Sequence, residues 1–274
     1  MKNTLFFIVL YLFFSCGSTG LDINERDPNP LSSILFIETI NGDTLNTADS
    51  LNTDEIVINW SGNEFSFEYQ YTLEYLTPAP GDFAIKSTSD WIKDQSGVMS
   101  HLDDGEYRFV IRSRYDADHE ETGGDSILFI INAVTGPALR FYPLHQAISA
   151  GSNVDLYLYI EDVQDLIGME LNISYAPETL SILQQTVMPT GLLTGSSTFY
   201  VEFDQGLIRI IAGGNNFSEI DGTGEVVQLT FQTSAEMSGQ AEVSILETTK
   251  LRDSGNDVII ILGMENGLIE VISD

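Results

Sequence analysis

The chain has 274 residues, 43% of them hydrophobic and 10% aromatic, enough apolar mass to fill two ordinary domain cores and to exclude wholesale disorder. Lys and Arg number 11 against 41 Asp and Glu, a formal net charge of −30 at pH 7. A surface that acidic repels phosphate backbones and anionic lipid headgroups, which argues against a nucleic-acid partner and suits work outside the cell.

The amino terminus, MKNTLFFIVLYLFFSCGSTG, carries one positive charge at Lys2, an unbroken apolar run at residues 5–14, and then Ser15-Cys16-Gly17. The run is well short of the roughly 20 residues a membrane-spanning helix needs, and its charged start and apolar centre fit a secretory signal. Cys16 is the only cysteine in the chain, and it stands where the apolar run gives way to small residues. The stretch resembles a bacterial lipoprotein signal, in which the cysteine becomes the lipidated first residue of the mature chain. Ser15 fits that pattern, whereas Phe13 stands where Leu is usual, with Leu12 one place early. The resemblance implies a signal peptide over residues 1–16 ending at a lipidated Cys16. It also implies a protein held in the bacterial cell envelope, at the outer membrane or cell surface, with membrane contact through that lipid only. A plain secretory signal with an incidental cysteine is the alternative. Without a second cysteine no internal disulfide can form, so stability must come from packed cores. Residues 17–30 are polar, end in Pro28 and Pro30, and read as a tether.

From Leu31 onward no long stretch keeps a helical period. Short runs rich in Ile, Val, Phe, Tyr and Leu recur between Gly, Asn, Asp and Pro clusters, which predicts an all-β chain of two β-sandwich domains. A seam at 132–139, NAVTGPAL, places the boundary between a domain over 31–135 and one over 138–274. In the first, Ile56, Ile58 and Trp60 share one side of a strand. Phe65, Phe67, Tyr69, Tyr71, Leu73 and Tyr75 then alternate strictly. Leu102, Gly105 and Tyr107 form a Leu-x-x-Gly-x-Tyr stretch leading into a strand, which looks like the tyrosine corner of sandwich domains. With the early tryptophan, residues 31–135 resemble a fibronectin type III or related immunoglobulin-like module, read here as a spacer.

In the second domain Val154, Leu156, Leu158 and Ile160 point inward on a strand over 153–163. A second strand follows in which Ile167, Met169, Leu171, Ile173 and Tyr175 alternate with Gly168, Glu170, Asn172 and Ser174. Leu180 and Ile182 continue the core pattern, and Asp204-Gln205-Gly206 joins two strands as a hairpin turn. Runs at 222–233, 241–246, 257–262 and 267–272 bring the count to about eight strands, typical of a jelly roll.

The order of these phrases is similar to a cohesin domain. It is carried by Gly151-Ser152-Asn153-Val154, by Asp162-Val163 before Gly168, and by Tyr175-Ala176-Pro177-Glu178-Thr179-Leu180. Gly191-Leu192-Leu193, Gly222-Thr223-Gly224 before Leu229-Thr230-Phe231, Leu251-Arg252-Asp253-Ser254-Gly255 and the closing run at 267–272 complete it. The resemblance implies a nine-stranded flattened jelly roll whose exposed sheet face receives a dockerin, a small helical module that itself binds calcium. Many cohesins place Asn and Asp at the positions of Gly168 and Glu170, so the resemblance implies a divergent partner.

The expected partner face combines Gly168, Glu170, Asn172 and Ser174 with the outward residues of the hairpin strand, Leu207, Arg209, Ile211 and Gly213. An alternative places carbohydrate on outward tyrosines, Tyr157, Tyr159 and Tyr200, which could stack on the sugar rings of a polysaccharide. Acidic stretches at 116–121, 161–165 and 252–257 offer oxygen ligands to a structural calcium, but none follows a twelve-residue calcium-loop pattern. They read as solvated turns, and no cofactor is expected. The only histidines, His101, His119 and His145, stand in no metal-binding pair and beside no serine elbow. No Gly-rich loop opens a helix, and no carboxylate spacing singles out a catalytic pair, so no enzyme is expected.

Overall fold

The computed structural model describes residues 28–39, 44–45, 50–76, 83–195, 198–213, 219–236 and 238–272. The signal and the Cys16 lipidation site lie outside them. The regular elements among the described residues are strands, apart from two short 3-10 turns at Gln184–Thr186 and Gly191–Leu193. Among them no helix is long and apolar enough to cross a membrane. The chain folds as two β-sandwiches, with one buried cluster ending at Ile131 and the other starting at Leu139.

In the first sandwich one sheet orders Thr44–Leu45, Ser32–Thr39, Ile56–Gly62 and Ser96–Met99. The facing sheet orders Ser50–Leu51, Asp125–Ile131, Gly105–Asp116, Glu68–Leu76 and Phe83–Thr88. The alternation in Ile56–Gly62 puts Ile56, Ile58 and Trp60 inside, each at most 1% exposed. Trp60 packs against Tyr69, Tyr71 and Phe109 with ring centroids 5.9–6.4 Å apart, and its indole N–H donates to the Asp94 carbonyl at 3.0 Å. A buried indole therefore keeps a partner for its polar atom. The tyrosine corner forms, with the Tyr107 hydroxyl donating to the Asp103 carbonyl at 3.0 Å. One expectation is corrected: the strand begins at Glu68, so Phe65 and Phe67 precede it. Phe67 is 55% exposed, and both rings pack beside Tyr115 instead of entering the core.

The second sandwich is organised by a single strand, Asn153–Tyr175, where the sequence suggested two. Its first half pairs with Ala138–Tyr142 on one side and Ile220–Thr233 on the other. Its second half pairs with Leu207–Gly213 on one side, and with Lys250–Asp253 and Gly239–Ile245 on the other. Register shifts between Ile160 and Leu166, with Asp162 and Asp165 at φ of 49° and 55°, turn the strand from one sheet into the next. Hydrogen bonds from the Asp162 N–H to Thr223 Oγ1 (3.0 Å) and from the Asp165 N–H to Asp221 Oδ1 (2.8 Å) hold that bend. The run at 257–262 is also corrected. Only Val258–Ile259 is strand, and Ile260 and Leu262 are 73% and 67% exposed.

The two sandwiches meet through polar groups. Asp103, 3% exposed, accepts from Lys86 Nζ of its own domain at 2.8 Å and from the Leu144 N–H of the other at 2.6 Å. Asp104 takes the Ala133 N–H of the connecting segment at 2.7 Å. Arg140 and Glu161, each 6% exposed, pair beside this contact, with the guanidinium over the rings of Tyr159 and Tyr142 at 4.9 and 5.9 Å. The His101 and His145 rings, one from each sandwich, lie 5.5 Å apart. Gly136 is required here, because a Cβ would fall 2.0 Å from the Glu161 carbonyl oxygen.

Candidate functional site

The long strand and its neighbours build a flat outward face in rows fixed by register. One row reads Thr198, Gly213, Gly168, Arg252, and the next Tyr200, Ile211, Glu170, Lys250. The third reads Glu202, Arg209, Asn172, and the fourth Asp204, Leu207, Ser174, Ser244. Strict alternation sets this face, because Met169, Leu171, Ile173, Ile208, Ile210, Ala212 and Leu251 point the other way and are at most 4% exposed. All eight residues expected to meet a partner therefore fall on one surface. The turn that aligns the hairpin is the pair Gln205-Gly206, with Gly206 at φ 76°, a conformation that favours glycine.

Arg209 occupies the middle. Its guanidinium bonds Glu170 at 2.9 Å and Glu202 at 3.3 Å, and Glu170 first, then Glu202, holds it above its ordinary pKa and fully charged. Tyr200, 52% exposed, donates its hydroxyl to Glu202 at 3.1 Å, and that carboxylate raises the phenol's pKa. Asn172 is anchored by the Thr248 carbonyl, which accepts its side-chain N–H at 3.1 Å. The Glu170–Arg209 bridge separates two shallow hollows. One of about 590 Å³ lies over Gly168, Gly213, Ile211, Lys250 and Arg252. The other, of about 710 Å³, lies over Asn172, Tyr200, Leu207 and Arg209. The first exists because two glycines face each other across the strands. A Cβ on Gly168 would meet nothing nearer than the Ala212 carbonyl oxygen at 3.9 Å.

Lys250 and Arg252 belong to this face although they were not among the expected residues. The signal that could have found them is the short alternation Lys250, Leu251, Arg252, with the leucine buried.

The tyrosines of the alternative reading are not brought together. Tyr157 and Tyr159 sit on the first half of the long strand, which pairs with Ala138–Tyr142, whereas Tyr200 lies on Thr198–Asp204, reached from the second half through Leu207–Gly213. Tyr159 is also taken up at the junction, its ring 5.5 Å from Tyr142 and beneath Arg140. Among the described residues no three or more His, Cys, Asp or Glu side chains gather as a metal site.

Residues 144–271 match the family model of the cohesin domain. Solved structures similar to this chain include the sixth cohesin from scaffoldin B of Acetivibrio cellulolyticus, in complex with a Cel5 dockerin mutant. It is 16% identical, with a TM-score of 0.45, over 50% of this chain and 100% of that one. A non-cellulosomal cohesin from the archaeon Archaeoglobus fulgidus is 18% identical, with a TM-score of 0.42, over 50% and 91%. A type III cohesin module from the cell-surface anchoring scaffoldin ScaE of Ruminococcus flavefaciens is 15% identical, with a TM-score of 0.42, over 50% and 87%. No curated protein sequence matches the chain.

Proposed function

We propose that this protein is a non-catalytic anchoring protein whose second sandwich docks a dockerin-type module on the face formed by residues 168–174, 207–213 and 250–252. In this reading Cys16 carries the lipid that holds the chain at the bacterial surface. Residues 31–135 lift the docking domain, over 138–274, away from it. The cohesin-model match over residues 144–271 supports the partner class.

The observation that carries the choice of face is the pair of hollows flanking the Glu170–Arg209 bridge, with Tyr200, Ile211 and Leu207 supplying apolar surface between charged groups. A flat sheet with a half-apolar centre, fixed polar anchors and two recesses is suited to receiving the side chains of a protein partner.

The test is a pull-down from extracts of the source organism with the purified protein and with Gly168→Trp, which fills the first hollow. The expected result is capture of a dockerin-bearing protein, its loss with Gly168→Trp, and its release by a chelator that strips calcium from the dockerin. Capture that survives Gly168→Trp would place the partner on another surface. Retention of the protein on a polysaccharide column with no protein captured would favour the sugar-binding alternative.

A further inference from the structure

The charges on the docking face are not evenly spread. The chain is strongly acidic, and six of its nine described Lys and Arg residues form ion pairs with carboxylates. Among the described residues the three without such a pair are Lys93, on a loop of the first sandwich, and Lys250 and Arg252. The last two project from one strand onto the docking face and line the same hollow. Lys250 stands directly across from Glu170, but that carboxylate is engaged by Arg209 on its other side. Arg252 donates to the Asn256 carbonyl at 2.8 Å and to no carboxylate among the described residues. On the opposite edge, three strand spacings or roughly 14 Å away, stand Glu202 and Asp204. The face thus has a basic edge and an acidic edge, with the Glu170–Arg209 bridge between them.

We infer that the docked module carries a carboxylate side chain, Asp or Glu, that seats in the glycine-floored hollow against Lys250 and Arg252 and so fixes the module's orientation. This rests on the docking reading above and adds the chemistry of the partner's contact residue. The hollow is also lined by Glu170, but that carboxylate is turned to Arg209, so two cations in no ion-pair contact stand beside a recess in a strongly acidic chain, and a complementary acid is what they select. An arginine also offers a planar fork that a carboxylate fits with two hydrogen bonds. The acidic edge at Glu202 and Asp204 disfavours the opposite orientation, because the same carboxylate placed there meets like charge.

The experiment is selection from a displayed library of calcium-loaded dockerin modules whose contact-helix positions are randomised. The baits are the full chain, the full chain with Lys250→Glu and Arg252→Glu, and the full chain with both residues changed to Gln. Circular dichroism and a thermal midpoint show that each bait is folded. The wild-type bait is expected to enrich Asp or Glu at one or two fixed positions. The reversed bait should enrich Lys or Arg at the same positions. Crossing a selected module onto the wrong bait is expected to weaken binding about tenfold or more per mismatched pair, with the Gln bait between. The same residues selected on all three baits would overturn the inference while leaving docking on this face intact, provided Gly168→Trp abolishes binding. Modules that bind regardless of Gly168→Trp, or no binders at all, would overturn both readings. Retention of the wild-type bait alone on immobilised polygalacturonate, with no acidic enrichment among modules, would overturn the inference in favour of an anionic sugar.

Discussion

Arg140 and Glu161 at the junction, and Arg209 with Glu170 and Glu202 on the proposed docking face, are chemically the same interaction in two solvents. The junction pair is 6% exposed on both sides, is stacked over two tyrosines, and sits beside Asp103, both of whose oxygens are engaged. The face cluster is open, with side chains 33–48% exposed. A buried ion removed from water depends on its partner, and deleting one member leaves an uncompensated charge. An exposed pair is screened by water and salt and adds little to folding, which leaves it available to a partner. The same contrast separates Asp103, which holds two domains together, from Lys250, which pairs with no carboxylate among the described residues.

The sharpest way to break this comparison is at the junction. Glu161→Ala strands the Arg140 guanidinium in a nearly dry setting and is expected to cost about 3–5 kcal/mol, read by urea unfolding; a loss comparable to that of a surface pair would refute the distinction. Asp103→Ala leaves the Leu144 N–H without its acceptor and frees Lys86, and is expected to cost about 1–3 kcal/mol. That variant should also loosen the two sandwiches against each other, visible as a broadened distance distribution in small-angle scattering.

At the face the expected stability effects are smaller and the binding effects larger. Gly168→Trp projects into an open hollow and should change stability by about 0.5 kcal/mol or less while abolishing docking. The double reversal Glu170→Arg with Arg209→Glu should keep the thermal midpoint and lose the partner, checked by calorimetry on the same preparation.

The smallest effect is in pH dependence. Burial holds the Asp104 carboxyl above its ordinary value, so the folded protein binds that proton more tightly than the unfolded chain does. This contribution is fully present below the ordinary carboxylate range, near about 4, and is lost as pH rises through the folded-state value. Asp104→Asn should therefore show a shallower decline in urea midpoint over that window than the wild-type protein.

What could be read in advance follows from locality. Period-two alternation in Ile56–Gly62, in the long strand and in the hairpin assigns faces correctly, because a strand's neighbours in sequence decide which side each residue takes. The Leu-x-x-Gly-x-Tyr corner was legible because its hydrogen bond spans only four residues. Alternation does not say where pairing starts, and so Phe65 and Phe67 were drawn into a strand that begins at Glu68. Nor does composition say what lies above an apolar run, and 257–262, which reads as a strand, is strand only at Val258–Ile259 and leaves Ile260 and Leu262 facing solvent. Asp103 reaching Leu144 and the gathering of Lys250 and Arg252 beside Gly168 are products of long-range register, which one sequence does not encode locally.

The most direct test of the proposed docking face is hydroxyl-radical footprinting of the full protein with and without the captured module. The account predicts protection of Tyr200, Leu207 and Ile211, with Tyr157 and the exposed Phe67 of the first sandwich unchanged. Protection of Tyr157 or Phe67 with Tyr200 and Leu207 left reactive would contradict it.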